Sequence, residues 1–152
     1  MQTMKGNVAK YLLFDACFWI ALLDDRDTYH RMAVDLYNKT EDWHGLLPWP
    51  TLYEVLSTRL SRNHQRVRIF SDELHSPGIK LIDDTPYRPK ALLKTVDLEY
   101  SVRTLSLVDL VIRDMLADIN LRMDGFVTFN HRDFNDVCSR RRLPMYPKDL
   151  EE

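Results

Sequence analysis

Hydrophobic and polar residues alternate along the chain in blocks that predict strands and helices in turn. A continuous apolar run predicts a buried strand over residues 11–14. Shorter, mostly apolar segments predict further strands over residues 45–49, 79–82 and 126–129. Apolar residues at helical spacing predict helices over residues 17–24, 29–39, 50–62, 65–75, 90–98 and 106–122. A linker loop over 99–105, a short turn or helix over 132–136 and an edge strand over 144–146 complete the pattern. This alternation predicts an α/β fold, a three-layer α/β/α sandwich with a short, mainly parallel sheet.

Length and composition agree with this fold class. The chain has 152 residues, which suits one domain over residues 1–152, and 45% of them are hydrophobic. The net charge of −2 counts against a nucleic-acid binder, although clustered acidic metal ligands can mask a basic surface. Cys17 and Cys138 show no metal or disulfide spacing, so we expect a reduced, cytoplasmic protein with Cys17 as inert core. The apolar run 11–23 contains Asp15 and is too short to span a membrane.

Acidic residues follow the predicted strands at positions where ligands bind in parallel sheets. Asp15 comes directly after the first strand, and Glu54 lies one turn into the helix after the second. Asp109 lies one turn into the helix after the linker loop, and Asn130 and Asp133 follow the strand 126–129. Because the carboxyl ends of parallel strands meet at one edge of a sheet, we expect these side chains to converge.

Convergence of four carboxylates has a chemical consequence. Carboxylates a few ångströms apart cannot all remain ionised in a poorly solvated cleft, and a hard divalent cation removes that cost. Oxygen ligands alone favour Mg²⁺ or Mn²⁺ over zinc. The reaction that suits such a site is metal-assisted hydrolysis of a phosphodiester bond. We therefore expect Asp15, Glu54, Asp109 and Asp133 to be the catalytic and metal-binding residues.

Each acid also has a purely structural interpretation. Thr51 with Glu54, and Ser106 with Asp109, match the spacing of a helix capping box, in which the acid bonds back to the cap amide. Asp15 on its own suits a helix cap, and the fourth acid suits an ordinary surface position. The functional interpretation depends on the joint placement of all four at one sheet edge.

Four blocks of sequence resemble the motifs of the PIN-domain family, and within it the VapC-type toxins of toxin–antitoxin modules. The blocks are residues 11–23 around Asp15, 50–55 around Glu54, 105–112 around Asp109 and 125–134, which ends in Asp133-Phe134. They occur in the family's order and extend over nearly the whole chain. The resemblance implies a PIN-like sandwich, Mg²⁺- or Mn²⁺-dependent cleavage of RNA, a homodimer, and an antitoxin partner that inserts a segment near the acidic cleft.

Two positions depart from the family pattern. Within two positions of the first acid, the family often has a hydroxyl or amide side chain, where this chain has Ala16 and Cys17. Many members carry an acid where this chain has Asn130, whose carbonyl oxygen remains able to bind a metal ion or to orient water. Asn130 therefore joins the expected metal ligands.

Supporting roles are expected for several further residues. Thr128 and Ser106 have hydroxyl groups placed to steady the acids by hydrogen bonding, with strand packing and helix capping as their structural alternatives. Arg132 and the run Arg140, Arg141 and Arg142 are candidates for contacts with the RNA backbone, with a solvated basic face as the alternative.

Two other functions compete with that of a toxin-like ribonuclease. One is a PIN-like binding module with weak or lost catalysis, which Asn130 and the negative net charge leave open. The other is a different Mg²⁺-dependent α/β enzyme such as a phosphatase. The Asp-x-Asp nucleophile motif of one common phosphatase class is missing after the first strand, where Asp15, Ala16 and Cys17 stand.

Overall fold

Parallel strands form the centre of the fold. The structure is a computed structural model that describes residues 9–57, 59–97, 105–148 and 150. Within these residues the sheet has five strands in the order β3-β2-β1-β4-β5, and every neighbouring pair is parallel. The strands are β1 Tyr11–Phe14, β2 His44–Pro48, β3 Ile79–Ile82, β4 Gly125–Val127 and β5 Met145–Tyr146. The α/β class expected from the hydrophobic pattern is confirmed, and the predicted edge strand lies at a sheet edge as β5.

Helices follow the strands in chain order. They are α1 Ala16–Leu23, α2 His30–Lys39, α3 Trp49–Ser57, α4 His64–Leu74, α5 Arg88–Val96, α6 Leu107–Ala117 and α7 Asn135–Arg141. Short 3-10 segments lie at Arg59–Arg62, Thr85–Tyr87 and His131–Asp133. In the parts of the chain that the structure describes, no helix is long and apolar enough to cross a bilayer.

The sheet separates two hydrophobic cores. Leu12 and Phe14 of β1 face a core built with α1 to α4, whereas Leu13 between them faces a second core built with α5, α6 and α7. Neighbouring residues of a strand point to opposite faces, so an apolar run of this kind is buried on both sides. These two cores make the fold a three-layer α/β/α sandwich.

The register of β1 aligns the strand ends that matter for the site. Leu13 pairs with Leu46 of β2 on one side and with Phe126 of β4 on the other. Asp15 follows β1 directly, α3 continues directly from β2, and Thr128 follows β4. The carboxyl ends of the three central strands therefore lie side by side and bring distant residues to one edge of the sheet.

Some helix boundaries differ from those that the sequence pattern predicts. The helix expected over 50–62 starts at Trp49 and ends at Ser57. The helix expected to reach residue 122 ends at Ala117, and Ile119, within the predicted range, is 82% exposed. The short turn or helix expected over 132–136 is a 3-10 segment followed by the helix α7, which extends beyond the predicted range to Arg141. Most of the linker predicted over 99–105 lies outside the described residues.

Candidate active site

Asp15 is held tightly where β1 passes into α1. Its backbone N–H donates to the carbonyl of Val127 over 2.9 Å, which continues the pairing of β1 with β4. Its Oδ1 accepts a 2.9 Å hydrogen bond from the amide of Ala16, and its Oδ2 accepts a 2.8 Å bond from Thr128 Oγ1. Asp15 therefore caps α1, as its structural interpretation expects, and at the same time presents an oriented carboxylate at the sheet edge.

Thr128 supports Asp15 from the neighbouring strand end. Its side chain is fully buried, and its Oγ1, besides donating to Asp15, accepts a 3.0 Å bond from the amide of Asn130. The hydroxyl thus connects the end of β1 to the loop after β4. Its geometry matches the supporting role expected from the sequence.

Cys17 belongs to the same network. Its Sγ lies 3.4 Å from Thr128 Oγ1 and 3.6 Å from Asp15 Oδ2, and it accepts a 3.4 Å bond from the amide of Phe129. Burial, and then the charge of Asp15, raise the pKa of this thiol to about 12, so it remains protonated. Cys17 packs against the core and stays protonated, as expected from the sequence, and the first turn of α1 also aims its side chain back at the capping acid. The thiol occupies the place where the family often has a hydroxyl or amide group.

The surroundings of Asp15 oppose its ionisation. Burial is the largest effect and raises the pKa of Asp15, and the charge of Asp109 raises it further. Hydrogen bonds from Thr128, Ala16 and Cys17 lower it, but they do not offset the burial. A positive charge beside this carboxylate would therefore be favourable.

Glu54 lies on α3 and has the least local support of the acids. Burial, followed by the charges of Asp15 and Asp109, raises the pKa of Glu54 to about 7. The capping box with Thr51 does not form, because α3 begins at Trp49 and places Thr51 inside the helix. The buried Thr51 hydroxyl has no hydrogen-bond partner in the described structure. Since Glu54 is not used as a cap, its carboxylate remains available for a cation.

Asp109 combines a cap with a place in the acidic cluster. Its Oδ2 accepts bonds from the Ser106 amide at 3.0 Å and from the Ser106 hydroxyl at 2.8 Å, while its own amide donates to Ser106 Oγ at 3.1 Å. The capping box predicted from the sequence is therefore complete. Oδ1 is outside that box, and the charge of Asp109 still acts on Asp15 and Glu54.

Among the described residues, the Asp133 side chain is connected to this cluster only through Asn130, and its charge is not among those that raise the pKa of Asp15 or Glu54. Its Oδ2 accepts a 2.6 Å bond from Asn130 Nδ2, which leaves the Asn130 carbonyl oxygen free of that contact. Arg113, one helical turn beyond Asp109, donates to the backbone carbonyl of Asp133 over 2.6 Å and binds both oxygens of Asp136. No sequence motif indicated Arg113, which ties α6 to the loop that carries Asp133.

The structure thus brings three of the predicted acids into mutual electrostatic contact. Asp15, Glu54 and Asp109 come from separate segments, and the charges of Asp15 and Asp109 both act on Glu54. Among the described residues, no group of three or more His, Cys, Asp or Glu side chains is arranged closely enough to hold a metal ion. The donor set nevertheless fits Mg²⁺ or Mn²⁺, because it consists of hard carboxylate oxygens whose protonation a cation would reverse.

An apolar groove opens beside Glu54. It has a volume of about 810 Å³ and runs between α3, α5 and α6. Tyr53 and Leu92 on its walls are 69% and 53% exposed. At one end, the buried Asp84 holds Arg88 through bonds of 2.7 and 3.0 Å. Such a combination of apolar wall and acidic rim is typical of a surface that binds another chain.

The three arginines of the predicted run, Arg140, Arg141 and Arg142, have different surroundings. Arg141 donates to the backbone carbonyls of Met115, Leu116 and Leu121, so its guanidinium closes the end of α6. Arg140 is exposed on α7, and Arg142 is exposed in the left-handed conformation that ends this helix. Arg132 is also exposed. The run is therefore not one continuous free basic surface.

Comparison with solved structures agrees with the geometry. VapC20 of Mycobacterium tuberculosis, a Sarcin-Ricin loop cleaving toxin, superposes with a TM-score of 0.61 at 17% identity over 76% of this chain and 86% of that chain. A chain of VapBC2 from Rickettsia felis, bound to a DNA fragment from their promoter, superposes with a TM-score of 0.56 at 15% identity over 89% and 96%. The chain has the PIN-domain fold of VapC-type toxins. No protein-family profile and no curated protein sequence matches it.

The fold expected from the four sequence blocks is confirmed. At 15–17% identity the superpositions establish the fold and not the reaction. The roles of Asp15, Glu54, Asp109, Asp133 and Asn130 stay predictions.

Proposed function

We propose that this protein is a Mg²⁺- or Mn²⁺-dependent endoribonuclease, the toxin of a toxin–antitoxin pair. The observation that supports the proposal best is the acidic cluster at the carboxyl ends of β1 and β2, where Asp15, Glu54 and Asp109 oppose one another's ionisation. The toxin fold adds support, since one of its structural neighbours is a Sarcin-Ricin loop cleaving toxin.

In the proposed reaction the chain's own residues hold and orient the acidic groups. Thr128, Ala16 and Cys17 fix the direction of the Asp15 carboxylate, and Ser106 fixes that of Asp109. A bound Mg²⁺ or Mn²⁺ would supply an activated water and neutralise charge on the phosphate and the leaving oxygen. Asp15, Glu54 and Asp109 would be its principal ligands, with Asp133 and the Asn130 carbonyl at the margin.

The test compares cleavage of a structured RNA in Mn²⁺ by the native protein and by Asp109→Asn. The amide can still accept the bonds from Ser106, so α6 keeps its cap while the site loses one negative charge. We expect activity to fall about a hundredfold or more, because loss of even an indirect partner of a metal ligand costs about 10–100-fold. Asp35→Asn on the exposed face of α2 is the matched control and should cleave like the native protein. Equal cleavage by the native protein and Asp109→Asn refutes the assignment.

The alternative, an inactive PIN-like binding module, differs in its response to metal. An inert module would bind Mn²⁺ no better than a variant in which all four acids are replaced by amides, and it would leave RNA intact. Calorimetric titration of both proteins with Mn²⁺ separates the two functions. We expect heat of binding only from the native protein.

The apolar groove next to the site is the surface that suits a protein partner. We assign the groove beside Glu54 to a segment of a cognate antitoxin, because its exposed apolar wall leads directly to an acid of the cluster. Leu93 and Val96 of α5, at 68% and 64% exposed, extend this apolar surface and suit a homodimer contact. Light scattering tests the dimer. Sequencing of the DNA beside the gene, to find a small reading frame, and co-expression with any that is found test the antitoxin.

A further inference from the structure

A second cavity lies on the helical layer formed by α5, α6 and α7. Its volume is about 420 Å³, and we name it the α5–α7 cavity. Basic side chains from all three helices line it: Lys90, Lys94, Arg113, Arg140 and Arg141. Asp114 lines it as well, and Asp118 and Asp136 lie next to it. Five cations against these three acids leave an excess of two positive charges, in a chain whose net charge is −2.

The cations at the floor of the cavity are fixed by internal bonds. Arg113 is held by Asp136 at 2.6 and 2.7 Å and by the carbonyl of Asp133. Lys94 pairs with Asp114 Oδ1 at 2.9 Å. Arg141 is held by the carbonyls at the end of α6. These side chains supply positive charge without needing to be ordered when a ligand binds.

Two cations at the rim are free to reach outward. Lys90 is exposed and makes no ion pair with any described residue. Arg140 is 72% exposed, and its one ion pair in the described structure is a 3.2 Å contact with Asp136, which Arg113 already holds at 2.6 Å. Two exposed cations above a floor of internally paired cations suit a phosphodiester, whose negative charge lies at the surface of its chain.

The cavity begins where the acidic cluster ends. Asp109 and Arg113 are four residues apart on α6, which corresponds to about 6 Å along a helix. Arg113 contacts the Asp133 loop on one side and lines the cavity on the other. A nucleic-acid strand that leaves the cluster along α6 would therefore reach the rim within a few nucleotides, as in other grooves that follow a backbone.

We propose that the α5–α7 cavity is a second RNA contact, which binds a backbone phosphate of the substrate away from the cleaved bond. The inference rests on the proposed ribonuclease function. It also explains how a chain with net negative charge presents a local positive surface to RNA. Lys90 and Arg140 are the residues that contact the phosphate, and Arg113 links this contact to the acidic cluster.

The test measures binding of a structured RNA to Asp109→Asn protein, which does not consume its ligand. Lys90→Ala with Arg140→Ala in that background should weaken binding about tenfold at 0.1 M salt, and the plot of log affinity against log salt should become shallower by about 0.7–0.9, the contribution of one phosphate. The matched control removes two exposed charges from α2, by Arg31→Ala with Lys39→Ala. This control should bind like its parent, and thermal unfolding checks that both double variants fold.

Each negative result of this binding experiment has a different meaning. Equal loss of affinity in both double variants would mean that only total charge matters and would overturn the inference. Unchanged RNA affinity in the cavity variant would likewise overturn the inference. If the native protein neither binds nor cleaves RNA, the proposed function itself fails.

Discussion

Replacing Glu54 with Gln should make the metal-free protein more stable at pH 8. The folded protein raises the pKa of Glu54 from 4.5 to about 7, chiefly through burial and then through Asp15 and Asp109. A raised acid pKa means that the folded state binds the proton more tightly than the unfolded state. Stability therefore falls as the pH rises from about 4.5 to about 7 and stays low above that range.

The size of the expected stability change follows from the shift in the pKa of Glu54. A change from 4.5 to about 7 corresponds to about 3 kcal/mol, and solvent screening of this partly exposed carboxylate reduces it to about 1.5 kcal/mol. For a chain of 152 residues this becomes an increase in Tm of about 3–6 °C for Glu54→Gln at pH 8. The gap between the two proteins should shrink to a small remainder at pH 4.5, where Glu54 is protonated in the folded state and about half protonated in the unfolded state.

The assay is thermal unfolding in EDTA at the two pH values, repeated with Mn²⁺. Added Mn²⁺ should stabilise the native protein and leave Glu54→Gln almost unchanged, because binding to the folded state alone stabilises it. Glu41→Gln, the same substitution at an exposed residue before β2, is the control and should not shift the Tm. A variant less stable than the native protein at pH 8, or a gap of equal size at both pH values, would refute the reasoning.

Two further predictions concern the support of the site and the packing of the sheet. Thr128→Val removes the 2.8 Å bond to Asp15, and we expect Mn²⁺ affinity and cleavage to fall about 10–100-fold; Thr128→Ser should retain both, as measured by calorimetry and RNA cleavage. Gly125→Ala places a Cβ 2.7 Å from Leu12 Cδ2 and should cost about 1–3 kcal/mol of unfolding free energy in urea. Gly78→Ala, whose nearest neighbour would be 3.8 Å away, should cost much less.

Each of these two predictions would be refuted by a specific result. Full activity of Thr128→Val would show that the orientation of Asp15 by the hydroxyl does not matter to the reaction. Equal stability losses in the two alanine variants would show that the contact between β1 and β4 has room for a methyl group.

The sequence by itself determined the elements and their class. The strand β1 is a short apolar run followed directly by an acidic residue, so β1, with Asp15 at its end, was predictable to the residue. The capping box of Ser106 and Asp109 was predictable for the same local reason, because a hydroxyl and an acid three residues apart satisfy each other's backbone amides. The order of the four acidic blocks was enough to indicate the PIN-like fold.

The local sequence pattern was not sufficient to predict the role of a residue where that role depended on the position at which its helix begins. Thr51 and Glu54 have the same spacing as Ser106 and Asp109, yet no box forms, because α3 starts at Trp49 directly from β2. Cys17 was predicted as a core residue, and the sequence did not show that the turn at Asp15 also brings its thiol to Thr128. Whether a residue caps, packs or faces the cluster depended on where its helix began.

Only the tertiary structure decided which distant residues meet. Parallel strands can be ordered in several ways with the same hydrophobic pattern, and it is the placement of β1 between β2 and β4 that brings Asp15 next to Thr128. The burial and mutual repulsion that raise the pKa of Glu54 exist only once Asp15 and Asp109 lie close to it. The positive α5–α7 cavity likewise gathers Lys90, Arg113 and Arg140 from three helices, and charges so far apart in the chain show no pattern until the helices pack together.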